Sequence, residues 1–280
     1  MQIKIITDSV ADIPKDLARE LDITVVPLSV HFGSASYRDG VDLTTDEFFE
    51  KLSKSNRLPT TSQVNPGEFK KVFEECLEKY DHIICVTMSE AMSGTYKAAN
   101  IAKEFIGTEK IDVFDSKAIS FGFGLVVIEA ARSVKNGKTL QEIRTSIRYN
   151  IDNLENLFIV DTLEYLKKGG RLSTAEAFVG NVLKIKPVIT INNEGKLESI
   201  DKIRGRKRVI NYFVDYINKN GYDLKGKTVG LFHAVDREYL EKLITVIKEE
   251  FDVKEIIQSE VGTVVGTHSG PGCLAMVFIK

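Results

Sequence analysis

The feature that most constrains the fold of this sequence is a set of short, mainly apolar segments separated by longer segments with helical periodicity. The segments Ile3–Thr7, His82–Thr87 and Ile111–Phe114 lack the clean alternation of apolar and polar residues that marks a half-exposed strand. Strands without that alternation are buried on both faces, as in a parallel sheet covered by helices. The sequence therefore predicts an α/β fold with a parallel sheet flanked by helices.

Local capping signals predict where several helices begin. Thr44 and Glu47 have the spacing of a capping box. Thr139 and Glu142 repeat that spacing before a later helix. Asp12 is the predicted N-cap of the first helix.

The second half of the chain has a different pattern. Residues Pro187–Ile203 are predicted to form a hairpin around Asn192–Gly195, and strands and helices then lead to a terminal strand. We predict an N-terminal α/β domain at residues 1–162 and a smaller C-terminal α/β domain at residues 163–280.

Composition limits the classes of function. The 280 residues are 43% hydrophobic and 28% charged, which is typical of a globular chain with a sizeable core. A formal net charge of −2 argues against a nucleic-acid partner. No apolar run is long enough to span a bilayer and no basic leader opens the chain, so we expect a cytoplasmic protein without an integral membrane span. Three cysteines without metal-ligand spacing favour reduced thiols and no metal site.

Three short polar motifs, far apart in the chain, are the strongest functional signal. They are Thr60–Gln63, Ser93–Thr95 and Gly266–Gly272. Ser93 and Gly94 precede a predicted helix, and the unpaired N–H groups at a helix start stabilise an anion. His268 lies in a predicted glycine-rich loop, where the backbone can approach a ligand closely and the imidazole can donate to a carboxylate.

Each motif also has an ordinary explanation. Ser93 fits a plain helix N-cap, Thr61 a loop hydroxyl, and His268 a surface-loop histidine. The sequence contains no lysine-bearing phosphate loop and no nucleophile elbow, so the motifs favour holding a ligand over breaking one. Two other functions stay open: a phosphotransfer subunit that accepts phosphate on His268, and a hydrolase that uses Ser93 or Ser269 with His268.

The unusually apolar segment Phe121–Ile128 fits two structures. It could line an apolar tunnel for a ligand, or it could be a fully buried core helix.

Five motifs occur in a fixed order and carry a family resemblance. They are Ile5–Ser9 with Ala11–Pro14, Pro59–Gln63, Ser93–Tyr96, Lys168–Leu172 and Gly266–Gly272. In these motifs the sequence resembles the DegV family of bacterial fatty-acid-binding proteins, and the resemblance covers about residues 3–279. It implies two α/β domains with a lipid between them, a long-chain fatty acid such as palmitate as the ligand, no resident cofactor and no enzyme activity of its own.

The resemblance also implies a partner and a binding site. Family members called FakB present the fatty acid to a separate fatty acid kinase subunit, which converts the carboxylate to an acyl phosphate. Thr61 and Ser93 match the family's carboxylate-binding threonine and serine, with Gly94 beside Ser93. His268 matches the histidine of the family's glycine loop.

Arginines in two basic clusters are candidates for docking a partner. Arg171 follows a Gly-Gly pair, and Arg204 and Arg206 belong to the densest basic run. Such clusters are usually solvated faces, and the functional alternative is docking of an acidic partner or a phosphate. The resemblance matches Arg171, and one of Arg204 or Arg206, to arginines that face the kinase.

Overall fold

The computed structural model describes residues 1–172 and 185–280. Its strands are β1 (Ile3–Asp8), β2 (Ile23–Val26), β3 (Ser29–Phe32), β4 (Ala35–Arg38), β5 (Thr60–Ser62), β6 (His82–Thr87), β7 (Ile111–Asp115), β8 (Leu154–Ile159), β9 (Ile185–Ile191), β10 (Leu197–Arg204), β11 (Thr228–His233), β12 (Glu255–Glu260) and β13 (Leu274–Ile279). Its helices are α1 (Lys15–Glu20), α2 (Thr45–Lys54), α3 (Pro66–Leu77), α4 (Thr95–Ile106), α5 (Phe121–Lys135), α6 (Leu140–Asp152), α7 (Glu164–Lys168), α8 (Val209–Lys219), α9 (Arg237–Glu250) and α10 (Thr263–Ser269).

The first sheet has four parallel strands in the order β2-β1-β6-β7. Every residue of β1 and β6 is buried, as expected for central strands of a sheet with helices on both faces. Helices α3 and α4 pack against β6, and α5 packs against β1. The predicted parallel sheet flanked by helices is confirmed.

The second sheet has six strands in the order β10-β9-β8-β13-β11-β12. Strands β11 and β12 are parallel, and the other neighbours are antiparallel. The predicted hairpin is formed by β9 and β10, and its turn is closed by a hydrogen bond of 2.9 Å from the Asn192 amide to the Lys196 carbonyl. Helices α8 and α9 share a second apolar core with this sheet.

Strand β8 falls within residues 1–162, the predicted N-terminal domain. In the structure it pairs with β13 and β9 and lies inside the six-stranded sheet. A short apolar segment does not reveal which sheet it joins. The domain boundary between residues 162 and 163 stays a prediction. The first strand that belongs to the six-stranded sheet, β8, begins before this boundary, at Leu154.

Helix α5 joins the two sheets. It packs against β1 of the first sheet and against β8, β11 and β13 of the second. Residues Phe121 to Ile128 are all buried, and none of them lines the cavity described below. A β-carbon on Gly124 would overlap with the Ala11 carbonyl, so glycine permits the close approach of this helix. The core-helix alternative is therefore correct, and the tunnel-lining alternative is wrong.

Capping explains the start of several helices. The predicted capping boxes at Thr44 and Thr139 are both present. Asp12 does not cap α1, whose N-cap is Pro14; its carboxylate forms long-range hydrogen bonds instead. A third sheet, in the order β4-β3-β5, is antiparallel and places β5 at its edge.

Within residues 1–172 and 185–280, no helix combines the length and the apolar character required to cross a bilayer.

Candidate functional site

A cavity of about 330 Å³ lies between residues at the carboxyl edge of the first sheet and residues of the second sheet. The volume is within the range of small-molecule sites, roughly 300–1,000 Å³. Most of its lining is apolar, including Val10, Leu28, Phe158, Ile189, Leu197 and Phe232. Phe158 and Phe232 meet edge to face, with ring centroids 5.9 Å apart. We call this part of the lining the apolar body.

Polar residues gather at one part of the lining, which we call the polar end. It contains Thr61, Ser62, Gln63, Ser93, Gly94, Arg171 and His268. These residues come from β5 and the residue after it, from the loop before α4, from the segment after α7 and from α10. The structure thus brings together the four residues predicted to bind a carboxylate, although up to 207 positions separate them in sequence.

His268 lies on α10 and not in a loop, so the loop prediction for this residue is wrong. Its Nε2 and the Thr61 hydroxyl are 3.0 Å apart, within hydrogen-bond distance. Its Nδ1 is buried without a hydrogen-bond partner in the described part of the chain, and Gly169 packs directly over it. Only glycine fits at residue 169, because a β-carbon there would overlap with the imidazole.

Burial, and second the positive charge of Arg171, lowers the pKa of His268 to about 4. The imidazole is therefore neutral near pH 7 and has one N–H to donate. An anion bound beside it would favour the protonated form and raise its pKa.

Ser93 and Gly94 form the start of α4. The Ser93 hydroxyl is 2.9 Å from the Thr95 hydroxyl and accepts a hydrogen bond of 3.3 Å from the Thr95 amide. The N-cap of α4 is Gly94, so the explanation of Ser93 as the N-cap is wrong; its hydroxyl contributes one hydrogen bond at the helix start, to the Thr95 amide. A β-carbon on Gly94 would overlap with the Gln63 side chain, so glycine allows β5 and α4 to meet at the cavity.

The electrostatics of the polar end favour an anion. It combines three hydroxyl groups, a neutral imidazole, the positive start of the twelve-residue α4 and the guanidinium of Arg171. The described lining residues include no carboxylate. An apolar body joined to such an end suits an amphipathic anion, with its chain in the body and its charge at the polar end.

The two alternative functions fit this geometry poorly. The Ser269 hydroxyl donates to the Gly270 carbonyl, and the Ser93 hydroxyl is paired with Thr95, so neither serine is hydrogen-bonded to His268 in the described residues. A hydrolase needs its nucleophile within hydrogen-bond reach of the base. A phospho-accepting histidine needs an accessible nitrogen, whereas both ring nitrogens here are covered or bonded.

The three candidate docking arginines have different environments. Arg171 is exposed beside the polar end, and its Nη1 donates to the Gly169 carbonyl at 2.6 Å. Arg204 is exposed at the end of β10. Arg206 is held within the protein, where it donates to the Gly272 carbonyl at 3.0 Å and lies over the Tyr239 ring. Its guanidinium also pairs with Asp161 and Asp236.

A second cavity of about 640 Å³ adjoins the polar end from outside. It shares Thr61, Arg171 and His268 with the first cavity and is otherwise lined largely by polar residues, including Arg57 and Lys168. The two cavities therefore meet at these three residues.

A group of carboxyls that no sequence motif revealed lies behind the cavity wall, formed by buried Asp8 and Asp39 and partly buried Asp12. Asp8 accepts a hydrogen bond of 2.8 Å from the amide of Met88, which lines the cavity. Burial raises the pKa of Asp8 to about 7, and it raises the pKa values of Asp12 and Asp39 as well. The available signal was Asp8 at the end of a buried strand. In the described residues, no group of His, Cys, Asp or Glu side chains has an arrangement that would hold a metal ion.

Comparison with known proteins gives one consistent match. Residues 2–280 match a family model described as "Uncharacterised protein, DegV family". A DegV domain-containing protein of Caldanaerobacter subterraneus is 37% identical over 277 residues, which cover 99% of this chain and 98% of the relative. The solved structure of a DegV family protein from Thermus thermophilus, described as fatty acid binding, has a TM-score of 0.93 at 32% identity and full coverage of both chains. DegV of Bacillus subtilis, described as a fatty acid binding protein, has a TM-score of 0.89 at 33% identity, again with full coverage of both chains.

Proposed function

Because this chain belongs to the DegV family, we propose that it binds a long-chain fatty acid, such as palmitate, in the cavity between its sheets. The observation that carries the proposal is the cavity itself, an apolar body that ends at a cluster of hydrogen-bond donors without a carboxylate. The fatty acid binding described for the Thermus thermophilus and Bacillus subtilis proteins supports it.

The apolar body supplies the free energy of binding. A 16-carbon chain carries about 14 methylenes, and burying them is worth roughly 11 kcal/mol at about 0.8 kcal/mol each. Loss of translational and rotational freedom offsets about 4 kcal/mol or more of this. The remainder suits a carrier, which must extract a lipid from water and yet release it.

The polar end provides hydrogen bonds to the carboxylate of the fatty acid, which would otherwise be buried without a partner. The Ser93 hydroxyl, the Thr61 hydroxyl and the amide groups at the start of α4 are donors near one point of the lining. Thr61 is bonded to His268 Nε2, so the imidazole acts on the carboxylate through the Thr61 hydroxyl. Without such partners, burial of a carboxylate would cost several kcal/mol.

We propose further that the protein presents this carboxylate to a fatty acid kinase, which forms the acyl phosphate. The outer cavity gives a partner access to the polar end, and Arg171 is exposed beside it. Arg204 is the better second docking candidate, because Arg206 already pairs with groups of this chain. The protein acts as a carrier in the cytoplasm, where its free cysteines Cys76, Cys85 and Cys273 stay reduced.

Mass spectrometry of the purified protein under native and denaturing conditions tests fatty acid binding. We expect a mass difference equal to one long-chain fatty acid, lost on denaturation and recovered in a lipid extract. Delipidated protein should take up palmitate, and the control variant Ser53→Ala, on the exposed face of α2, should do so equally well. Delipidated, folded protein that takes up no fatty acid would contradict the proposal.

The kinase step has its own test. Arg171→Glu should weaken palmitate binding, because the guanidinium belongs to the polar end. At saturating palmitate it should still abolish acyl-phosphate formation in a mixture with purified kinase and ATP, because the charge reversal repels an acidic partner surface. Arg19→Glu, a charge reversal on exposed α1, should have no effect on either. Full turnover by lipid-saturated Arg171→Glu would contradict its role in docking the kinase.

A further inference from the structure

The short helix α10 carries His268 near its end, and the carboxyl groups of Asp12 and Asp39 accept hydrogen bonds at its beginning. Oδ1 of Asp39 accepts hydrogen bonds from the Thr263 amide at 3.0 Å and from the Thr263 hydroxyl at 2.7 Å. Oδ1 of Asp12 accepts from the Gly262 amide at 3.0 Å. Both amides lie in the first turn of the helix, where backbone N–H groups have no partner within the helix.

Helix α10 depends on contacts from elsewhere in the chain. It has seven residues, whereas isolated helices shorter than about 12–15 residues are marginal in water. Gly266 in its middle lowers its helix propensity further. Packing against aromatic side chains holds the helix in place. Gly266 lies against Phe48 and Phe49, and Gly270, just past the end of the helix, lies against Tyr165.

Packing and hydrogen bonding constrain the helix differently. Contacts with aromatic rings are largely non-directional and tolerate small rotations and shifts of the helix. The hydrogen bonds to Asp39 are directional, and two of them converge on one carboxylate oxygen. They fix the position of α10 along its own axis and its rotation about that axis. The position of His268 relative to Thr61 follows from both.

We infer that Asp39 is a positioning residue for the polar end: it holds α10 so that His268 meets Thr61 beside the carboxylate of the bound lipid. Asp39 does not line the cavity, so it acts through Thr263 and the helix. The inference rests on the proposed binding of a fatty acid. Asp39, a buried carboxyl outside the cavity, would thus contribute to selectivity for the class of lipid that is bound.

The test compares two ligands of equal chain length, palmitate and hexadecanol. A loosened cavity lowers the affinity for both ligands, whereas a misplaced His268 lowers the affinity only for palmitate, which has a carboxylate. We expect Asp39→Ala to lower the ratio of palmitate affinity to hexadecanol affinity about ten-fold, the effect of one lost charge-assisted hydrogen bond. Asp39→Asn keeps an oxygen acceptor for Thr263 and should retain the wild-type ratio. Asp42→Ala, three residues away and exposed to solvent where Asp42 pairs with Arg38, is the matched control.

A double-mutant cycle shows whether Asp39 acts through the imidazole. In a His268→Ala background, Asp39→Ala should leave the affinity ratio unchanged. If Asp39→Ala does not fold, Thr263→Val replaces it, because this variant removes the 2.7 Å bond while retaining the shape of the side chain. We expect its ratio to fall about three-fold, the effect of one neutral donor lost from an intact helix start.

Equal losses for both ligands would overturn the inference, as would a ratio for Asp39→Asn as low as that of Asp39→Ala. An additional fall of the ratio in the His268→Ala background would also overturn it. A wild-type protein that binds palmitate and hexadecanol equally well would overturn it too, because the polar end would then not select a carboxylate. A wild-type protein that binds neither ligand would instead contradict the proposed function.

Discussion

The apolar body and the polar end of the cavity differ in where their residues come from and in what they add to binding. The body takes Phe158, Ile189 and Phe232 from three strands of one sheet, so a single element of structure shapes much of it. The polar end takes Thr61, Ser93 and His268 from separate segments that tertiary contacts bring together. The body contributes free energy in proportion to buried area, whereas the polar end contributes a few directional bonds. The body thus sets how tightly a lipid is held, and the polar end sets which lipid it is.

Shortening the ligand gives the largest expected effect and tests the body alone. Laurate has four methylenes fewer than palmitate and the same carboxylate, so its binding should be weaker by roughly 3 kcal/mol, or about 200-fold. Titration calorimetry with delipidated protein measures the difference. Equal affinities would mean that the distal part of the chain lies outside the apolar body.

Removing a donor from the polar end should have a smaller effect. Ser93→Ala should weaken palmitate by roughly 2 kcal/mol through loss of one charge-assisted hydrogen bond. Its melting temperature should change little, because the lost capping bond costs about 1 kcal/mol at most in a chain of this size. The penalty should be the same for laurate and palmitate if body and polar end act independently. Unchanged affinity would mean that the Ser93 hydroxyl serves only its hydrogen bond to the Thr95 amide.

The smallest effect concerns the pH dependence of stability in the lipid-free protein. The pKa of His268 is lowered from an ordinary 6.5 to about 4 by folding. Between these values the unfolded chain binds a proton that the folded protein does not, so the free energy of unfolding falls as the pH drops. From pH 7 to pH 5.5 this one group should cost about 1 kcal/mol.

The measurement is the difference between wild type and His268→Gln in urea unfolding at the two pH values. The pKa of Asp8 is raised to about 7, so this group has the opposite effect: its contribution to the free energy of unfolding is lost as the pH rises. It is present in both proteins and cancels in the difference. Bound palmitate should shrink the difference, because its carboxylate stabilises the imidazolium. A difference that does not vary with pH would contradict a buried, neutral His268.

Local signals in the sequence account for much of the site. Strand ends, helix starts and small polar residues are recognisable from a few neighbouring residues, which is why the three polar motifs stand out. The assignment of Thr61 and Ser93 to a carboxylate came from the family resemblance. The parallel sheet and the capping boxes at Thr44 and Thr139 were predictable for the same reason.

Features that depend on distant parts of the chain were not predictable. His268 was expected in a loop because its segment is rich in glycine, but α10 forms through bonds to residues more than 200 positions away. Asp12 was expected to act locally as a cap, yet its carboxylate bonds to Ser120 and Gly262. Arg204 and Arg206 are alike in sequence, and only the fold shows that Arg206 is engaged within the protein.

The most direct test of the account is a crystal structure of the protein loaded with palmitate. We predict one fatty acid whose carboxylate oxygens lie within hydrogen-bond distance of Ser93 Oγ and of the Thr61–His268 pair, with its chain running past Phe158 and Phe232. A lipid bound in the reverse direction, with its carboxylate among the phenylalanines, or bound outside this cavity, would contradict the division of the site into an apolar body and a polar end.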